Sequence, residues 1–217
     1  MTQPSPASES LVELHRRADL TSKARYHAAR RLRAHNSFSQ WTLALLAVGQ
    51  IVITLVAALK LRTSFAPAYV DFGGVFFGVL VLAYSLLLGM ADYSARSVKM
   101  HECGIELGAL ARELFFLSRD PSATRDDYNS AAERYYSILS KHENHSGVDY
   151  IVSDCESRRG QHFQDAIFSM EWFQWHIWRG FTKAKIYSLH ALQFSHYVIS
   201  VALIWGWIYF LVTPAHG

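Results

Sequence analysis

The chain has 217 residues, 51% of them hydrophobic and 18% charged, with a formal net charge of +3. The apolar content is ample to offset ordering entropy, which excludes a disordered chain. Two cysteines, Cys103 and Cys155, with no CxxC pair, exclude a disulfide scaffold. The hydrophobicity is collected in blocks, and the blocks set the organisation.

Segment 1–37 reads as a basic cytoplasmic helix. Ser8 or Ser10 can cap it near Glu9, and Leu11, Leu14, Ala18, Arg25, Ala28, Leu32 and Phe38 give a loose helical stripe. It holds no apolar run, so no secretory signal is expected and the first block should remain as an anchor. Segment 38–91 reads as a transmembrane hairpin. Phe38–Leu59 runs 22 residues and Phe72–Ala91 runs 20 residues without a charge. About 20 apolar residues suffice to cross the hydrocarbon core. A soluble helix keeps a charged outer stripe, and neither block has one. The short Lys60–Asp71 link, with Pro67 inside it, enforces the hairpin. In the second block Gly74, Gly78, Ser85 and Gly89 share one face, which suits close helix packing in lipid.

Segment 92–160 reads as a cytoplasmic helical hairpin and loop. The second membrane helix is expected to continue unbroken to about Arg119, because Tyr93, Met100, Cys103, Leu107, Leu110, Leu114 and Leu117 follow coiled-coil spacing. Asp120-Pro121 ends that helix. Ser122 or Thr124 caps a return helix with the stripe Tyr128, Ala131, Tyr135, Ile138 and Leu139. The apolar seams of this antiparallel hairpin need each other or a neighbouring subunit, and Cys103, Leu107, Leu110, Leu114 and Leu117 are offered as an oligomer seam. Glu143–Gly160 reads as polar and turn-like. Segment 161–185 reads as an aromatic interfacial helix, carrying Phe163, Phe168, Trp172, Phe173, Trp175, Trp178 and Phe181, with Gly180 as a hinge. Segment 186–212 is uncharged over 27 residues and reads as a third transmembrane helix, followed by the tail 213–217. The fold class is an all-α membrane protein.

Lysine and arginine set the expected orientation. The N-terminal segment carries seven, the Lys60–Asp71 link two, Asp92–Lys185 twelve and the tail none. This asymmetry places the N-terminus and the central region in the cytoplasm. The positive balance follows from it, so no direct nucleic-acid binding is expected.

P-loop, GxGxxG, GxSxG and HExxH motifs are missing from the sequence. His142 and His145 could chelate at i, i+3, but Asn144, Ser146 and Gly147 mark a helix end there, so no metal and no cofactor are expected. Intramembrane polar residues form a second set: Thr42, Gln50 and Thr54 in the first block, Gln193, His196 and Ser200 in the third. Such residues either bond helices together or line a water-filled path. The cluster Lys23, Arg25, Arg30, Arg31 and Arg33 either grips a phosphorylated ligand or anchors to lipid headgroups.

Four features carry a resemblance to a known family. They are the basic stretch Lys23-Ala24-Arg25-Tyr26 through Arg30-Arg31-Leu32, the short membrane hairpin, the long helix after it, and Tyr136–Leu139 with Glu143-Asn144-His145 and Asp149-Tyr150. Over Leu11–Tyr150 the chain resembles the SLATT group, two-transmembrane effectors of bacterial conflict systems. The third block then lies beyond the two-transmembrane core. The resemblance implies a non-enzymatic effector of the bacterial inner membrane. It would form a pore or perturb the membrane during phage infection, ending in growth arrest or abortive death. It also implies a trigger, either a nucleotide second messenger or an associated synthase or reverse transcriptase.

The leading expectation is a homo-oligomer in the lipid bilayer that opens a conductive path, since one helical hairpin cannot enclose a pore. The alternative is a non-conducting adaptor that recruits a partner enzyme through its cytoplasmic helices. A third class, a membrane enzyme, would have to use His101, His142, His145 or Cys155.

Overall fold

The computed structural model describes residues 6–144, 146–161 and 170–213. Among them there are six α-helices and no strand: α1 Pro6–Ala58, α2 Pro67–Ala91, α3 Tyr93–Leu117, α4 Arg125–Ser140, α5 Gly147–Gln161 and α6 Met170–Val212. The fold is all-α. Three helical stretches are long and apolar enough to cross a membrane: Ser8–Ala58, Pro67–Leu117 and Gly180–Val212. The chain divides into two compact units. Unit 1 comprises 1–33 and 94–186, and unit 2 comprises 34–93 and 187–217.

Helix α1 is continuous over 53 residues, about 80 Å at the α-helical rise. Neither glycine nor proline occurs between Ala7 and Val48 to interrupt it. It ends in a Schellman-type cap. The Leu61 amide donates to the Val56 carbonyl at 3.2 Å and the Lys60 amide to Ala57 at 3.1 Å. Lys60 takes the left-handed position, with φ 49°, where glycine is the usual residue. Pro67 then opens α2 at a position that lacks an amide partner anyway.

The expected unbroken helix from Phe72 to Arg119 is interrupted at one residue. Asp92 caps α2 with φ 43° and ψ 43°, and α3 begins at Tyr93. Aspartate tolerates the left-handed region better than most residues, so a break there costs little. Two further expectations change. The turn-like character expected of Glu143–Gly160 is confined to its start, and Gly147–Gln161 is helix α5. The hinge expected at Gly180 does not form, because α6 runs through it without a break. Phe163 and Phe168, and the side chains of Trp172, Phe173, Trp175 and Trp178, lie outside the described residues.

Unit 1 is built on three helices. Leu11, Leu14 and Ala18 of α1 meet Cys103, Leu107, Leu110, Ala111 and Leu114 of α3, and Ala131 and Tyr135 of α4 complete the core. The seam expected to serve an oligomer is therefore filled by the chain's own helices. Cys103, Leu107 and Leu114 are fully buried, Leu110 nearly so, and Leu117 is partly buried against them. The reason is that α1 supplies a third apolar stripe in addition to those of the α3–α4 hairpin. Thr124 caps α4 with a full capping box, its backbone amide donating to Asp127 Oδ2 at 2.8 Å.

The α1–α3 contact is close because small residues line it. Ser22 Oγ donates to the Gly104 carbonyl at 2.8 Å, and Ser97 Oγ donates to the Ala29 carbonyl at 3.1 Å. A β-carbon at Gly104 would stand 3.1 Å from the Tyr26 ring.

Unit 2 packs α2 and the parts of α1 and α6 that belong to it around one apolar core. Leu46, Ile53, Val56, Val70, Phe77, Ile204, Ile208 and Leu211 form it. The approach is tightest at Gly73, where a β-carbon would lie 2.6 Å from Trp207 Nε1. A β-carbon at Gly49 would similarly lie 3.0 Å from Ile204 Cδ1. His35 stacks on Phe194 at 4.2 Å between ring centroids, and its Nδ1 lies 3.1 Å from the Tyr197 hydroxyl.

Candidate functional site

In unit 2 the polar residues of the membrane blocks divide into different roles. Thr42 is buried on the inner face of α1, and Gln50 lies two turns further along the same face. Gln50 Nε2 donates to the Gly74 carbonyl at 2.8 Å, which ties α1 to α2. Its Oε1 is buried with no hydrogen-bond partner among the described residues, as is Gln193 Oε1. Thr54 and Ser200 bond back along their own helices, to the Gln50 carbonyl at 2.9 Å and the His196 carbonyl at 2.7 Å. Thr54 and His196 are exposed. The six residues thus do not form one continuous lining within the chain.

The small-residue stripe of α2 divides too. Gly74 faces Ile53 and Gly78 faces Gln50, where added β-carbons would lie 3.8 and 3.4 Å from those side chains. Gly89 has open space where a side chain would go, and Ser85 Oγ bonds back to the Leu82 carbonyl at 2.7 Å. Gly73, one residue from the expected stripe, makes the closest contact. Of the apolar window of α2 only 6% is buried within the chain, leaving Phe72, Val75, Val79, Leu82, Leu86 and Leu87 exposed. An apolar face of that extent needs lipid or another helix against it.

In unit 1 the five basic residues separate into two groups. Arg25 is fully buried and points away from solvent. Its Nη1 donates to the Glu143 carbonyl and touches Met100 Sδ at 3.3 Å. Arg31 grips Asp149 with two parallel bonds, Nε to Oδ1 at 3.1 Å and Nη2 to Oδ2 at 2.9 Å. Arg96 reaches the Glu143 carboxylate at 3.0 Å. Three arginines from α1 and α3 therefore hold the α4–α5 connection at Glu143 and the first turn of α5 at Asp149. Arg25 and Arg31, expected among ligand-gripping cations, are engaged inside the protein instead.

Asp149 joins the site as a residue outside the basic cluster, and Ser146-x-x-Asp149 has the spacing of a capping box. The Ser146 amide and hydroxyl donate to its Oδ2 at 3.2 and 2.8 Å. Burial pushes its carboxyl upward, but the bonds from Arg31 and Ser146 outweigh that and hold it below the usual carboxylate range.

The remaining basic residues, Lys23, Arg30 and Arg33, line a cleft of about 420 Å³ together with Tyr26, His27 and His101. Lys23 bonds Asp19 at 2.6 Å, and Arg30 Nη2 lies 2.8 Å from His27 Nδ1. Tyr26 and His101 meet edge to face with centroids 5.4 Å apart. Among the described residues no group of three or more His, Cys, Asp or Glu could hold a metal ion, and His145 lies outside them. Cys103 is buried in the core, and burial pushes its thiol pKa up, which disfavours the thiolate a nucleophile needs.

No curated protein and no solved structure matches the chain. The profile of the SMODS and SLOG-associating 2TM effector domain family 5 matches residues 7–212. The match extends past Tyr150 and includes the third apolar helix, which the earlier resemblance placed beyond the family core. With nearly the whole all-helical chain inside that match, the protein belongs to this family of membrane effector domains.

Proposed function

We propose that the protein is an oligomeric effector of the bacterial inner membrane that opens a conductive path when triggered during phage infection, arresting or killing the cell. The observation that carries this reading is the packing of unit 2. Among the described residues the three helices meet in an apolar core that includes Leu46, Ile53, Phe77, Ile204 and Ile208, while the outer face of α2 is apolar and uncovered. A conductive path would then form between subunits, with α2 as the element free to meet a neighbour. Family membership supports the general effector role. The lysine and arginine asymmetry supports a cytoplasmic placement of the N-terminus and unit 1.

Because the seam of α3 is already filled, the subunit contact belongs to the membrane helices and not to Cys103–Leu117. The trigger, a nucleotide second messenger or an associated synthase or reverse transcriptase, would act on unit 1. Opening from 1% to 99% requires about 5.5 kcal/mol of differential binding.

The test is induction of the full chain in bacteria carrying a potential-sensitive dye, with and without phage. Depolarisation at or before growth arrest supports the proposal. Arrest with an intact membrane potential overturns it in favour of the recruiting adaptor.

A further inference from the structure

We infer that unit 1 holds a phosphate-binding cleft, lined by Lys23, Tyr26, His27, Arg30, Arg33 and His101. Residues 23, 26, 27, 30 and 33 fall on one face of α1 at spacings of three and four, so the helix presents its cations together. His101 faces them from α3. The position of the cleft is fixed by the close α1–α3 contact, because Tyr26 seats against Gly104, where no side chain intervenes.

No carboxylate lines the cleft. Lys23 is paired with Asp19, but both partners are over 40% exposed, so the pair is easily exchanged for a ligand. Arg30 and Arg33 are exposed and end in planar forks that match phosphate oxygens two at a time. Tyr26 and His101 add a ring wall and further polar atoms. A volume of about 420 Å³ falls within the range of small-molecule sites and suits a diphosphate or a phospholipid headgroup. Both sources offer the same chemistry, a phosphate group carrying one or more negative charges. Arg33 precedes the first apolar block by only five residues in the sequence, so a headgroup is a natural candidate alongside a soluble phosphate compound.

This site is separate from the Arg25–Arg31–Arg96 set and does not depend on conductance. The experiment uses the full chain purified in neutral detergent. Labelled pyrophosphate in equilibrium dialysis probes the soluble source. Phosphatidylglycerol against phosphatidylcholine, read as adducts in native mass spectrometry, probes the headgroup. Binding of either anionic probe, weakened at least tenfold in Arg30→Gln/Arg33→Gln, supports the cleft and identifies its source. Lys23→Gln/Arg33→Gln should show the same loss, and its exposed positions leave the core of unit 1 untouched. No binding of either probe by the unaltered chain, or binding by the double variants as tight as that of the unaltered chain, overturns the inference. The readout is binding, so that failure would leave the proposed membrane function standing.

Discussion

Replacing Arg31 by methionine should loosen α5 from unit 1, and the structure sets the size of the effect. The Asp149 side chain is 3% exposed and that of Arg31 is 17% exposed. Removing the guanidinium leaves a carboxylate buried against Ser146 alone. Breaking a buried pair on one side costs about 3–5 kcal/mol. Asp149→Asn should cost less, about 1.5–3 kcal/mol, because the amide oxygen still accepts from Ser146 while a charge-assisted bond is lost. If the two groups act as a unit, the double variant Arg31→Met/Asp149→Asn should cost little more than Arg31→Met, giving a coupling of about 2 kcal/mol. Hydrogen exchange of the α5 amides in the full detergent-solubilised chain reads this directly. A coupling under about 0.5 kcal/mol, the noise of additivity, would refute the reasoning.

The same pair has a defined acid response. The folded carboxyl of Asp149 lies below its ordinary value of 3.8, so its stabilisation is complete above that value. It should fade as pH falls through the lower folded value, and α5 exchange should rise on acidification in the unaltered chain but not in Asp149→Asn. Gly73→Ala should destabilise unit 2 by about 1–3 kcal/mol through overpacking against Trp207. Gly89→Leu should be tolerated, and denaturant midpoints of the two variants distinguish a packed from an open position. Lys60→Gly should raise thermal stability by roughly 0.5–1 kcal/mol, since it relieves a left-handed φ at the end of α1. Thr124→Ala should lower it by about 1 kcal/mol through loss of the α4 capping box, read by the same melting assay.

What could be read from the sequence follows from which interactions are local. Twenty uncharged apolar residues define a membrane span through composition alone, so the helices containing Phe38–Leu59, Phe72–Ala91 and Ile186–Val212 were visible without coordinates. The α4 cap was visible for the same reason, because Thr124 and Asp127 are three residues apart. The partner of a stripe is another matter. Cys103, Leu107 and Leu114 announce an apolar seam, but not that Leu11 and Leu14 fill it, since any helix with the right period would satisfy the pattern. The small pair Gly104 and Gly108 could have pointed to a close neighbour for α3, but did not say which one.

The arginines show the divide most sharply. Lys23 to Arg33 is one basic run in the sequence, and charge alone gives every member the same meaning. In the folded chain Arg25 and Arg31 turn toward the 143–149 segment, more than a hundred residues away, while Lys23, Arg30 and Arg33 line a cleft. Arg25 sits in the middle of the covered side of α1, Arg31 lies on the flank that the first turn of α5 reaches, and Lys23, Arg30 and Arg33 stay exposed. Sequence determined the membrane-spanning helices and the periodicity of the rest. Only tertiary structure decided which side of α1 is covered, because burial depends on where distant helices come to lie.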